Sequence, residues 1–309
     1  VTAAGADDDL ELLSTIADAA APGEPAHEPV RDRLVAGPGP DVYLARASDR
    51  AVLAVPKAGG APRVLARLDE PASALAVGGG ALWIGSRHAI LKLPLADGGA
   101  PAVVARGLAG PRSVASDGTW TFVVDVDASR GGMLPRSTIV RLPADGGPPA
   151  VVGRATGDVE DVALGDANVY WADALEGTIV AAPEAGGEPR AIATERGLPG
   201  EVVVAGGDLY WVERRSESVW TMPAAGGAPR RMTQDFAGFA DLVADARGVS
   251  WRTEAAVDGA FRVLTAPRAG GDAVPASVAA RGIDALAGDG EHLYWSRDGV
   301  VSRVLAPSD

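Results

Sequence analysis

Asp161, Glu201 and Asp241 stand about 40 residues apart, and Asp284 follows at a comparable interval. Each lies just ahead of a short apolar run that opens a repeating unit. The full aligned series is Arg33, Ala74, Ser113, Asp161, Glu201, Asp241 and Asp284, so four consecutive units offer a carboxylate at one equivalent place. Brought to a common mouth, these side chains form an acidic arc with Arg33 at its end. Like charges in such an arc repel unless a cation or a basic partner group sits between them. Two readings follow. The acids are structural latches that accept backbone N–H bonds from the neighbouring unit. Alternatively they form a site for a hard cation, Ca²⁺ or Mg²⁺, or for a cationic group of a partner. Whether the carboxylate oxygens already have partners separates the two.

Other chemistry is sparse. Asp125 and Asp127 open a long loop, 125–132, and two carboxylates this close are candidate oxygen ligands for a hard cation. A Ca²⁺ loop normally brings more acids, which favours a solvated turn. A second long loop carries Glu254 and Asp258. Three histidines occur, His27, His88 and His292, and their places in the repeat do not bring them together. His88 lies in a loop on the same side as the acidic series, where a lone general base or a plain surface histidine are both open readings. No Gly-x-Ser-x-Gly elbow, phosphate-binding loop or dinucleotide fingerprint is present.

The elements that must position these groups are read from the repeat. An apolar–Pro step followed by Gly-Gly recurs: Val55-Pro56 with Gly59-Gly60, Leu93-Pro94 with Gly98-Gly99, Leu142-Pro143 with Gly146-Gly147, Ala182-Pro183 with Gly186-Gly187, Met222-Pro223 with Gly226-Gly227, and Ala266-Pro267 with Gly270-Gly271. Upstream of each sits an aromatic signature: Val42-Tyr43-Leu44, Leu82-Trp83-Ile84, Trp120-Thr121-Phe122, Val169-Tyr170-Trp171, Leu209-Tyr210-Trp211, Val249-Ser250-Trp251 and, in a seventh unit, Leu293-Tyr294-Trp295. The period of about 40 residues, with four short β-type runs per unit, predicts an all-β fold: one seven-bladed β-propeller with four-stranded antiparallel blades. The blades fall at about 30–67, 71–106, 111–154, 158–194, 198–233, 238–279 and 282–306. The seventh unit lacks its fourth strand, and the run Leu10 to Ile16 resembles the fourth strands elsewhere. Residues 10–16 are therefore expected to complete the last blade and hide its edge. Residues 1–9 read as a loose acidic leader, and 10–309 as one domain. The signature tryptophans read as packing between blades, whereas Trp220 lies in a third strand and is expected to be partly exposed.

Val169-Tyr170-Trp171-Ala172-Asp173, Leu209-Tyr210-Trp211-Val212-Glu213 and Leu293-Tyr294-Trp295-Ser296-Arg297 resemble the Tyr-Trp-Thr-Asp repeats of low-density-lipoprotein-receptor-type propellers. The NHL and SMP-30-like propellers are looser relatives in pattern. The family's Thr is absent, its final Asp is matched only by Asp173, and the receptor propellers have six blades. The resemblance implies ligand or protein binding at a propeller face. SMP-30-like and streptogramin-lyase-like propellers imply instead a divalent-metal-dependent lactonase or lyase. SMP-30-like sites use Asn beside the acids, and the lyases need paired catalytic residues including His. Here Asn168 is the only Asn and its turn lies on the opposite face, while only His88 is placed for the second.

Composition narrows the function classes further. The chain has 309 residues, no Cys and a formal charge of −13. Absent Cys excludes disulfides, thiolate metal sites and thiol nucleophiles. The acidic balance argues against nucleic acid, which needs a basic face. No apolar run is long enough to span a membrane as a helix. The expected function is a non-enzymatic, monomeric binding propeller, with a lactonase or lyase as the alternative. Its partner is a protein, peptide or glycan, met at an acidic face. The first residue is Val rather than Met, which reads as a trimmed start and fits an extracytoplasmic location.

Overall fold

The computed structural model describes residues 11–12, 31–96, 99–127, 136–233, 240–253, 261–278 and 282–306. Every regular element among them is a β-strand, and these strands form seven antiparallel sheets of four. Six of the sheets are simple meanders from the channel outward, so sequential strands pair as neighbours. The innermost strands are β2 (Arg33–Ala36), β6 (Ala74–Gly78), β10 (Pro111–Ser116), β14 (Val162–Gly165), β18 (Pro199–Ala205), β22 (Ala240–Ala244) and β26 (Ala285–Gly288).

The last blade is completed from the other end of the chain. Its three C-terminal strands are β26, β27 (His292–Arg297) and β28 (Val300–Leu305), and β1 (Glu11–Leu12) pairs antiparallel to β28. The register sets Glu11 against Arg303 and Leu12 against Ser302. The strand expected over residues 10–16 is thus seen at its Glu11–Leu12 pair, and the remainder lies outside the described residues.

The core is a ring of seven apolar clusters, one at each seam between blades. Strand alternation explains how one aromatic signature serves two seams. On β15 (Asn168–Asp173), Tyr170 packs toward the fifth blade with Leu209 and Trp211, while Trp171 packs toward the third blade with Phe122 and Val124. Trp83, Trp171, Trp211 and Trp251 are almost fully buried, as inter-blade packing requires. Trp220 is partly buried, with its Nε1–H donating to Ser218 Oγ at 2.9 Å and the Arg196 guanidinium 4.9 Å from its ring.

The Gly-Gly steps turn the third strand into the fourth. Gly186 donates to Pro183 O at 3.0 Å and Gly226 to Pro223 O at 2.9 Å. The turn then runs through positive φ at both glycines, +110° and +152° at Gly186 and Gly187. A side chain there would be strained, which is why the pair recurs.

Candidate functional site

Loops that enter the innermost strands open on one face of the ring, together with the turns between second and third strands. At this face a cavity of about 570 Å³ runs down the central channel between the innermost strands. Its mouth is charged, with Arg33, Arg112, Glu160, Asp161, Glu201 and Asp241 around it, and its depth is lined by apolar side chains such as Val77, Leu164 and Val243.

Local irregularities place three of these groups. The pairing of β10 with its neighbour slips between Pro111 and Ser113, that of β18 between Pro199 and Val202, and that of β22 between Ala240 and Leu242. Each slip is a bulge at the mouth end of an innermost strand. Arg112, Glu201 and Asp241 occupy the bulged positions. A bulge re-aims a side chain that regular pairing would direct elsewhere. Asp241 has φ of +56°, a backbone state uncommon for a non-glycine residue and tolerated best by Asp and Asn. Gly200 allows the neighbouring contact: a Cβ there would stand 2.8 Å from Glu160 Oε2 and 3.0 Å from Val212 Cγ2. That space is used by Glu160, which is ion-paired with Arg214.

The carboxylates differ in what they hold. Glu201 accepts two backbone N–H bonds from the next blade, Asp241 N at 3.1 Å and Leu242 N at 2.7 Å. Asp161 Oδ1 accepts the Ser113 hydroxyl from the preceding blade and Val162 N at 2.8 Å. Asp241 Oδ2 receives Nε of the buried Arg252 at 3.0 Å, within its own blade. Asp284 accepts Asp298 N at 2.9 Å and does not line the cavity. So the structure brings Asp161, Glu201 and Asp241 to one wall and leaves Asp284 outside it. Inter-blade latching is plain at Glu201 and Asp161.

Burial and mutual repulsion nonetheless disfavour the charged forms of the acids at that wall. Burial is the main cause that lifts the Asp161 carboxyl to about 6, with the charges of Glu160 and Asp241 adding to it against the Ser113 and Val162 hydrogen bonds. Burial, then the charges of Asp241 and Asp161, pushes Glu201 well above the usual carboxylate range. Arg33 faces this wall from the first blade. It donates to Ser73 O through Nε at 2.9 Å, and burial lowers its pKa while the Asp241 charge opposes that shift. Arg112 is ion-paired with Asp158.

Other expected site residues lie elsewhere. Asp125 accepts Ala109 N at 3.1 Å and Gly110 N at 2.8 Å, fixing the loop into β10. Asp127 also has a partner. His88 is an exposed turn residue whose Nδ1 lies 3.0 Å from Leu108 O and 3.1 Å from Ala109 O, a tie to the loop of the next blade. His292 is on the opposite face, its ring 5.9 Å from that of Tyr294. His27, Glu254 and Asp258 lie outside the described residues. Among the described residues no three His, Asp or Glu side chains are grouped closely enough to share a metal ion.

Arg112 and Glu160 were not singled out by the repeat alignment. Each is one residue ahead of the aligned position, and the bulges and loop geometry that turn them inward leave no compositional trace. Asp32 is a further omission. Burial raises it to about 6, with Asp284 contributing, and its Oδ2 is buried without a partner.

No protein-family model and no curated protein matches the chain. Solved structures do. Virginiamycin B lyase from Staphylococcus aureus, a catalytically inactive histidine-to-alanine variant with quinupristin, superposes with a TM-score of 0.71 at 11% identity, covering 90% of this chain and 95% of that one. A chain of the nidogen/laminin complex gives 0.56 at 20% identity, covering 73% and 89%. The WD40 propeller domain of Doa1 gives 0.68 at 13% identity, covering 96% and 97%. Likeness at these identities establishes architecture and leaves the task open, since propellers with binding and catalytic roles are both among the matches. The chain is a seven-bladed β-propeller of four-stranded antiparallel blades, closed by its own N-terminal segment.

Proposed function

We propose that the protein is a non-enzymatic binding propeller that draws a cationic group of a peptide, protein or glycan partner into its channel mouth. The observation that carries this reading is the wall formed by Asp161, Glu201 and Asp241 on three consecutive blades. Two of its members are held above their ordinary pKa by burial and by their neighbours' charge. An ammonium or guanidinium group entering there would relieve that repulsion. Arg33, which faces the wall from the first blade, would orient it by repelling its positive end. Complementarity of this kind also raises association rates. We place the working protein outside the cytoplasm and as a monomer.

The lactonase or lyase alternative would use the same cavity. Against it, the acids are engaged by backbone, hydroxyl or guanidinium partners, and neither His88 nor His292 lines the cavity. Calorimetry with a short Lys/Arg peptide and, separately, with Ca²⁺ and Mg²⁺ tests both. We expect saturable peptide binding that weakens with salt and falls tenfold or more in an Asp161→Asn/Asp241→Asn variant. Absent peptide binding, or binding unchanged in the variant, overturns the proposal. A single tight divalent ion lost in the variant moves the assignment to the metal enzyme.

A further inference from the structure

The seam between the sixth and seventh blades departs from the other six. At each seam, one residue on the second strand points toward the next blade. Cross-strand registers with the third strand identify it as Tyr43 opposite Ala54, Trp83 opposite Lys92, Phe122 opposite Arg141, Tyr170 opposite Ala181, Tyr210 opposite Thr221 and Tyr294 opposite Arg303. In the sixth blade the same place, opposite Thr265, is Ser250. Six aromatic rings fill six seams, and the seventh has a hydroxymethyl group.

A second cavity, of about 300 Å³, lies at that seam. Ser250 and Thr265 form one side, and Val243, Leu293 and Ala306 are among its other lining residues. These correspond by register to residues around the ring at the seam between the fourth and fifth blades. There Tyr170 packs in one cluster with Ala163, Ala181, Leu209 and Ala224. Val243 pairs with Ser250 as Ala163 pairs with Tyr170. The Tyr170 hydroxyl donates to Ala224 O at 3.1 Å. Ala306 takes the place of Ala224 directly after the third strand, and its N–H closes the equivalent turn by donating to Glu291 O, as Ala224 N donates to Gly207 O. Ser250 Oγ and Thr265 Oγ1 are satisfied by each other at 3.2 Å, so the wall they form makes no polar demand on a guest.

We infer that this seam is a binding site for a single-ring phenol, which would occupy the volume of the missing tyrosine and donate its hydroxyl to Ala306 O. Apolar cavities of about half this volume bind benzene, so space is sufficient. The rim, with Asp245, Arg247 and Asp272, is on the face opposite the acidic mouth. The site therefore does not depend on the function proposed above.

The test uses p-cresol, the tyrosine side chain as a free molecule. Calorimetry and thermal midpoints on the full chain should show one saturable site and a midpoint that rises with p-cresol. Toluene, lacking the hydroxyl, should bind about three- to tenfold more weakly. Ser250→Tyr should plug the site, raising the midpoint without ligand and abolishing p-cresol binding, whereas Ser250→Ala should still bind. Should Ser250→Tyr not fold, Ser250→Leu provides the same block with less bulk. No saturable binding to the wild type, or undiminished binding to a folded plugged variant, overturns the inference.

Discussion

Asp161 is held near 6 rather than 3.8, chiefly by burial, and Glu201 is raised in the same direction. The folded chain therefore retains protons that the unfolded chain releases. Between about pH 4 and 6 the Asp161 contribution makes stability fall as pH rises, and Glu201 continues that trend above it. Urea midpoints measured from pH 4 to 7 should show Asp161→Asn gaining on the wild type as pH increases, since the variant removes one charge and relieves Glu201. A difference between the two proteins that stays constant with pH would refute this account. The residue scale is also where the sequence was only half legible. The positions of Asp161, Glu201 and Asp241 were evident from the repeat. The exclusion of Asp284 from the cavity, and the entry of Arg112 and Glu160, depend on backbone detail that residue types do not encode.

Strands are the scale at which the sequence spoke most clearly. Aromatic signatures mark the second strands, and apolar–Pro–Gly-Gly turns the third strands of the first six blades, because φ requirements and seam packing leave few alternatives. Bulges did not announce themselves, since an extra residue in β10, β18 or β22 reads as a slightly longer loop. Ser250 was visible in its signature, yet its meaning needed the other six seams for comparison. Within the second strands two tyrosines offer a matched pair. The Tyr170 hydroxyl has its partner at Ala224 O, whereas the Tyr210 hydroxyl is buried with no hydrogen bond. Removing a made bond and removing an unmade one differ in sign or size. Tyr170→Phe should cost about 1 kcal/mol, and Tyr210→Phe should be neutral or stabilising. Equal losses in the two variants, read from denaturant midpoints at constant slope, would contradict the assignment.

At the scale of the whole molecule, closure of the ring rests on contacts between chain ends rather than on a covalent link, because there is no Cys. Two sets of contacts share the task. One is the pairing of Glu11–Leu12 with β28. The other is the seam between the seventh and first blades, where Tyr294 packs with Leu44 and Leu53. There Lys57 Nζ also lies 2.8 Å from Asp289 Oδ2, and Arg303 donates to Lys57 O. Burial disfavours the Asp289 charge, but Lys57, two backbone N–H groups and the Tyr294 hydroxyl outweigh it and hold the carboxyl below its ordinary range. The seam's apolar cluster and ion pair survive loss of the N-terminal strand, whereas the edge of β28 does not remain covered. An unpaired edge invites pairing with a second copy. Deleting residues 1–12 should therefore lower the thermal midpoint by several degrees and make the chain elute as a larger species than the full chain on size-exclusion chromatography. Adding a charge at the exposed end of the bared strand, by Leu305→Lys in the deleted chain, should restore the full chain's elution without restoring the midpoint. A deleted chain that elutes as the full chain does and keeps the wild-type midpoint would show that the seam alone closes the ring.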